Sequence, residues 1–306
     1  MSAILMARDA AAGIGRVIDH LHALPVDEVV VVDNGSTDGT AEEVLRRAHE
    51  WEPPRRLEVV HCAENIGVAA RNLAIERARG ELLLLVDDDS YPLPGTIERL
   101  QAAFDANPRL AVTAGMVLEL DEDGMVRVST EPGSFDWMMR AGAQGTSPVD
   151  GFPTYFFPEG ASMARRQALS EVGGYYEKFF FMHEGFELVS RLLAHGWDVR
   201  YVPDAPFHHL AGPKTRDGLR ATLRLGVRNH LWYFWLRFPP SLAARRMAAY
   251  AAYDLVQCTY RRVPDAWVHG VLDAWRQRAV VRPDRAPLPR AVVRRAELRR
   301  GRMHVV

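Results

Sequence analysis

Three consecutive carboxylates, Asp87, Asp88 and Asp89, follow the apolar run Leu82-Leu83-Leu84-Leu85-Val86. Adjacent acids repel one another, and a hard divalent metal with oxygen ligands is the partner that best holds them together. In an extended segment Asp87 and Asp89 project to one side and Asp88 to the other, so the first and third could share one ion. A solvated acidic turn satisfies the same pattern, so the surroundings must decide. A second apolar run ends in Asp33 and enters Asn34-Gly35-Ser36-Thr37-Asp38-Gly39-Thr40, a loop of turn formers and helix-capping residues. Further along lie His183-Glu184-Gly185-Phe186-Glu187, with acids suited to proton transfer, and His208-His209, with imidazoles suited to a metal or a phosphate.

The elements that would position these groups alternate. Strands are expected at Ile4-Leu5-Met6, over 28–33, over 57–62 and over 82–87. Helices are expected over 10–24, 41–50 and 69–79, the first with apolar residues at Ile14, Val17, Ile18, Leu21 and Leu24. Strand–helix alternation at this spacing implies right-handed crossovers and a mainly parallel sheet, whose carboxyl edge would receive both Asp33 and the Asp87 cluster. A helix over 96–104, a strand over 110–113 and a hairpin turn at Asp121-Glu122-Asp123-Gly124 follow. Phe135, Trp137, Met138 and Met139 could line an acceptor pocket or pack in the core. Beyond Gly212 the composition shifts to arginine, tryptophan and alanine, and two amphipathic helices, 217–238 and 242–260, flank Pro239-Pro240.

The 306 residues, 48% hydrophobic and 25% charged, suit one large domain with an appendage. The net charge of −1 gives no reason to expect nucleic acid. No GxGxxG follows the first strand and no Walker glycine loop occurs, which argues against a dinucleotide dehydrogenase and a P-loop enzyme. Cys62 and Cys258 lack metal-ligand spacing and fit a reducing cytoplasm. Residues 1–15 lack the basic start and apolar core of a signal peptide, and the apolar stretch 231–253 is broken by Arg237, Pro239, Pro240, Arg245 and Arg246. The tail from Arg276 to Arg302 has only two acids, Asp284 and Glu297, and reads as a solvated basic segment.

Taken together, Val31-Val32-Asp33-Asn34-Gly35-Ser36-Thr37-Asp38-Gly39-Thr40, Asn65-Ile66-Gly67 with Arg71-Asn72, and Val86-Asp87-Asp88-Asp89 resemble, in order and spacing, the nucleotide-sugar half of family-two inverting glycosyltransferases of the GT-A fold. The resemblance implies an α/β catalytic domain over 1–212, with a nucleotide-binding half at 1–90 and an acceptor half at 91–212. A helical region with a basic tail then occupies 213–306. It implies a nucleoside-diphosphate-sugar donor, bound through Asp33, Asn65, Gly67, Arg71, Asp87 and Asp88, and Mg²⁺ or Mn²⁺ held by Asp87, Asp89 and His209. The acceptor is a hydroxyl of unknown identity. His183-Glu184-Gly185-Phe186-Glu187-Leu188 with Arg191 resembles the family's Glu-Asp-x-Asp-Leu-x-x-Arg stretch, but Gly185 stands where that pattern has its proton-accepting Asp. Glu184 is then the nearest candidate base, Glu187 the next and His183 the third. Arg228-Asn229-His230 with Trp232, Tyr233 and Trp235 resembles the helical appendage of rhamnosyltransferase-like members. Such a surface could cover the active site, pair two subunits or lie on a membrane interface. Two other readings fit parts of the pattern: a sugar nucleotidyltransferase, for which Arg8-Asp9-Ala10 is poor triphosphate-binding material, and a catalytically silent nucleotide-sugar or glycan-binding protein, which Gly185 keeps open.

Overall fold

The computed structural model describes residues 1–120, 126–128, 148–210 and 215–301. The first half is a succession of strands and helices: β1 (Ser2–Ala7), α1 (Ile14–His22), β2 (Glu28–Asp33), α2 (Thr40–Ala48), β3 (Arg56–His61), α3 (Ala69–Arg77) and β4 (Leu82–Asp87). A short β5 (Ser90–Pro92), α4 (Thr96–Ala106), β6 (Leu110–Leu120) and β7 (Val126–Val128) follow. The second half holds β8 (Phe152–Pro153), β9 (Ala161–Arg165), α5 (Arg166–Glu171), α6 (Glu184–Ala194) and the long β10 (Asp198–His209). The chain closes with α7 (Arg216–Arg237), α8 (Pro240–Tyr260), α9 (Pro264–Arg276), α10 (Arg278–Val281) and α11 (Arg290–Gly301).

One sheet organises the molecule, in the order β3-β2-β1-β4-β9-β6-β10-β5, with β7 on β6 and β8 on β10. Strands β3, β2, β1 and β4 are mutually parallel, as their helical crossovers require. The acceptor half is mixed: β9 runs antiparallel to β4 and β6, while β6 and β10 are parallel. The alternation of side chains along β4 divides the core. Leu83 and Leu85 pack with Ala70, Ala74 and the helical residues Leu188 and Phe234 on one face, and Leu84 and Val86 pack with Val17, Leu21 and Leu100 on the other. Burial on both faces is why these strands read as unbroken apolar runs instead of alternating patterns.

The helical region is not a separate layer. Leu231, Trp232, Tyr233, Phe234 and Leu236 of α7 share a hydrophobic cluster with Ala164, Leu188 and Tyr201 of the sheet domain, so a boundary drawn at 212 from composition runs through common packing. The basic tail departs from its expectation as well. Residues 290–301 form a helix with Val293 buried, and Arg295 lies 3.6 Å from Asp198 of the sheet domain. The expected acidic turn 121–124 and the aromatic group 135–139 lie outside the described residues, as does the Gly212 break. Among the described residues, no helix is long and apolar enough to cross a membrane.

Candidate active site

At the carboxyl edge of the parallel strands the chain builds a scaffold of loops tied to one another by side-chain amides and carboxylates. Asp33, only 6% exposed at the end of β2, accepts from the Ser36 backbone N–H at 3.1 Å and lies 3.5 Å from His61. The amide of Asn34 donates to Asn65 Oδ1 at 3.0 Å and to the Gly67 carbonyl at 3.2 Å, and its oxygen accepts from the Ile66 N–H at 2.9 Å. Asp9 in turn accepts from Thr37 N–H at 2.9 Å. Asn65 and Gly67 therefore act on the loop itself. Gly67 sits at φ +63°, and a side chain there would run into the backbone of Phe180, whose carbonyl accepts from Val68 N–H at 2.7 Å.

The Asp cluster does not project as an extended segment would require. Strand β4 ends at Asp87 and the chain turns at Asp88–Asp89 before entering β5, which corrects the expectation that the first and third acids share one ion by simple alternation. Asp87 follows Leu83 and Leu85 to the α3 face and meets Arg71, a guanidinium only 4% exposed that forms an ion pair with it. Arg71 is held charged: burial works against the cation, and Asp87, Tyr175 and Glu159 together outweigh it. Asp88 folds back and accepts from the Arg8 N–H at 3.0 Å; burial pushes its carboxyl up to about 7, with Asp87 and Asp89 reinforcing the shift. Asp89 turns toward β10, where its Oδ2 lies 3.4 Å from His209 Nε2. The β5–β10 pairing explains the meeting, since it sets His209 opposite Ser90, and the Leu210 N–H donates to the Asp89 carbonyl at 2.7 Å.

Among the described residues, no three His, Cys, Asp or Glu side chains form a ready cage for a metal ion. Asp89 and His209 nonetheless fit one. Asp89 Oδ1 and His209 Nδ1 are buried without hydrogen-bond partners, and an oxygen–imidazole pair suits a divalent cation. Glu119 Oε1 lies 4.0 Å from His209 Nδ1, an acid beside the pair that sequence spacing does not single out. Asp87 is engaged by Arg71 and stands behind this pair. His208 points the other way, 3.3 Å from the Tyr91 hydroxyl.

The two proton-transfer candidates separate completely. Glu187 is fully buried and its carboxylate is enclosed by Arg191 at 2.6 Å and Arg237 at 2.6 Å, which removes it from the site and makes it a structural anchor between α6 and α7. Glu184 opens α6 and is 5% exposed, with its Oε2 buried and unpartnered. Its neighbour is Glu159, in the loop before β9. Burial raises both carboxyls, that of Glu159 well above the usual range, with the nearby Glu184 charge adding to the rise. Glu159 Oε2 lies 3.9 Å from Arg71 Nε, and the buried hydroxyl of Tyr175, without a hydrogen-bond partner, completes the group. Sequence reasoning passed over Glu159. The available signal was an acid between Pro158 and Gly160 at the mouth of a buried strand. His183 stacks on His230 at 3.6 Å, and His230 is paired with Asp254 at 3.0 Å.

The stretch before Glu184 is backbone of unusual conformation: Phe180, Met182 and His183 all have φ between 64° and 74°. Asn229 of α7 reaches the carbonyls of Phe179, Phe181 and Met182 at 2.7–2.9 Å, and Arg228 donates to Phe179 O at 2.8 Å. The helical region thus sets the entry to α6.

An α/β sheet with acids gathered at its carboxyl edge and helices on both faces defines a GT-A fold. Residues 2–173 match the family model described as Glycosyl transferase family 2, and the chain belongs to that family. It is a glycosyltransferase. Among curated relatives, the chain is 26% identical to the N-acetylglucosaminyl-diphospho-decaprenol L-rhamnosyltransferase of Mycobacterium tuberculosis, over 76% of this chain and 85% of that one. It is 28% identical to the succinoglycan biosynthesis protein ExoU of Rhizobium meliloti, over 72% and 65%. Among solved structures, the mannosyltransferase PcManGT of Pyrobaculum calidifontis, in complex with GDP-Man and Mn²⁺, superposes with a TM-score of 0.58 at 18% identity, over 90% of this chain and 86% of that one. GalNAc-T7 with UDP, GalNAc and Mn²⁺ superposes with a TM-score of 0.61 at 15% identity, over 78% of this chain and 48% of the other, about half its length.

Proposed function

We propose that the protein transfers a sugar from a nucleoside-diphosphate sugar to an acceptor hydroxyl in a single displacement that inverts the anomeric centre, and that Asp89 and His209 hold the divalent ion it requires. The observation that carries this reading is the pair of orphaned buried atoms, Asp89 Oδ1 and His209 Nδ1, on a sheet edge already crowded with acids. Mg²⁺ or Mn²⁺ bound there would supply positive charge to the diphosphate. Asp33 and the loop 34–40 receive the nucleoside. Asp87, locked to Arg71, keeps that guanidinium oriented at the donor side. Glu184 takes the proton of the acceptor hydroxyl. Family membership favours this reading over a nucleotidyltransferase or a silent binding protein. The Mycobacterium relative's name supports a lipid-linked acceptor. Exposed Tyr253, Val256, Tyr260 and Trp275 on α8 and α9 give the helical region a face for peripheral membrane contact or a homodimer.

The test is to mix purified protein with a panel of uridine, thymidine and guanosine diphosphate sugars, with Mg²⁺ or Mn²⁺ and again with EDTA, and to follow nucleoside diphosphate release. Release from one donor that EDTA abolishes is the expected outcome. Release indifferent to EDTA would remove the metal from the mechanism.

A further inference from the structure

Helix α6 enters the site with Glu184 followed by a residue that has no side chain. A β-carbon built on Gly185 would lie 3.1 Å from Glu159 Oε1, 3.7 Å from the Phe157 carbonyl and 3.8 Å from the Phe156 ring. The space that a side chain at 185 would enter is therefore already filled, and what fills it is a carboxylate from a different element. That carboxylate is firmly placed. Its loop is closed by the Ala161 N–H donating to Pro158 O at 3.1 Å and by the Ser90 hydroxyl, which donates to the Gly160 carbonyl and accepts from Asp87 N–H at 2.8 Å. Gly160 lies so close over Asp87 that any β-carbon there would strike its carboxylate. Arg71 links the same loop to the strand end, donating to the Glu159 carbonyl at 3.5 Å while paired with Asp87. Glu159 is thus held beside Arg71 and against the first turn of α6, its side chain 16% exposed.

We propose that Glu159 takes the place of the side chain absent at Gly185, so that the site's proton acceptor is a two-carboxyl unit, Glu159 with Glu184, supplied from the loop before β9 and from the start of α6. This rests on the transfer reading given above. As the acceptor oxygen attacks, its O–H bond breaks and the proton passes to the unit. The new C–O bond forms at the anomeric carbon, and the old one breaks with its electron pair leaving on the nucleoside diphosphate. The unit leaves the step carrying one proton more than it entered with and returns that proton to water before the next turnover. Gly185 is then not a defect. A side chain longer than glycine at 185 and a glutamate at 159 compete for one volume, and this chain keeps the glutamate.

The experiment compares wild type, Glu159→Gln, Glu159→Ser, Gly185→Asp and the double variant Glu159→Ser with Gly185→Asp. Turnover is followed as nucleoside diphosphate release from the donor that wild type uses, and binding of UDP and GDP with Mn²⁺ is followed by calorimetry. Glu159→Gln and Glu159→Ser are expected to lower kcat about 100-fold with KM for the donor and the nucleotide affinity nearly unchanged. The double variant is expected to recover at least tenfold over Glu159→Ser, because it returns an acid to the same volume from the other side. Gly185→Asp alone is expected to lose activity through crowding. A Glu159→Gln enzyme as fast as wild type overturns the proposal, as does a double variant no faster than Glu159→Ser. A crystal structure of the double variant adds a readout independent of turnover: the carboxyl introduced at 185 should occupy the position of the wild-type Glu159 carboxyl, and one turned away from it overturns the replacement. Should wild type release nucleoside diphosphate from no donor, the transfer reading fails while that structural readout still decides who fills the volume.

Discussion

Glu28 enters β2 at its amino end, and Asp87, Asp88 and Asp89 leave β4 at its carboxyl end, so the parallel part of the sheet carries acids at both edges. At the amino edge every demand is met. Burial pushes the Glu28 carboxyl up, but the Arg79 N–H, the Ser2 hydroxyl and Arg56 outweigh it and hold the group below its ordinary value. At the carboxyl edge the balance reverses: Asp88, Glu159 and Glu184 are all raised, Asp89 Oδ1 and Glu184 Oε2 have no hydrogen-bond partner, and Arg71 lies among them as a counter-charge. The same side-chain chemistry serves cohesion where it is satisfied and is held ready for a ligand where it is not.

That contrast can be broken from either side. The largest effect should come from Asp89→Ala, which is expected to cut turnover by about 10³-fold, ~4 kcal/mol of transition-state stabilisation, while far-UV dichroism and the metal-free melting temperature stay at wild-type values; a melted spectrum would refute it. Glu187→Gln should do the opposite. It leaves Arg191 and Arg237 buried without their carboxylate and should lower unfolding stability by ~3 kcal/mol, read as a urea midpoint shift. Glu28→Ala is expected to cost ~2 kcal/mol with kcat unchanged in the folded fraction, since Arg56, at 29% exposed, recovers some hydration.

The smallest effect is in the pH dependence and has opposite signs at the two edges. Glu28, with a lowered folded pKa, contributes stability that is present above its unfolded value of 4.5 and lost as pH falls through the folded one. Asp88, raised to about 7 from 3.8, favours the folded state below 3.8, and that contribution is lost as pH climbs from 3.8 through 7. Urea midpoints between pH 3 and 8 should therefore show an acid-side loss that Glu28→Ala flattens and a neutral-side loss that Asp88→Asn flattens. Added Mn²⁺ should offset the neutral-side loss alone.

Most of the fold was legible because its signals are local. The runs ending in Asp33 and Asp87 are apolar throughout since both faces are covered, and α1 buries Ile14, Val17, Ile18 and Leu21 at helical spacing. Strand β6 runs past the expected 110–113 to Leu120, with Gly115 within it closely approached by Phe207 of β10. The site was legible where a strand end delivers the residue, as at Asp33, and illegible where three-dimensional packing decides. Nothing in the spacing of Glu187 and Arg191 announces Arg237 as the second cation. Nothing in Pro158-Glu159-Gly160 announces the close approach of Glu159 to Gly185, where two elements distant in sequence meet. The turn at Asp88–Asp89 was hidden for a related reason: His209, the partner that draws Asp89 aside, arrives on β10 more than a hundred residues later.

The clasp between Asn229 and the carbonyls of Phe179, Phe181 and Met182 bears on how such a chain could be recombined. Phe180, Met182 and His183, three positive-φ residues in the stretch before Glu184, do not hold that shape by their own preferences; an amide from α7 does it for them. A chimera joining residues 1–212 to another protein's helices would inherit every acid of the site yet lack the template that shapes the approach to Glu184. The exchangeable unit is therefore the sheet together with α7, and the specificity that a new helical region brings can be grafted only beyond Arg237.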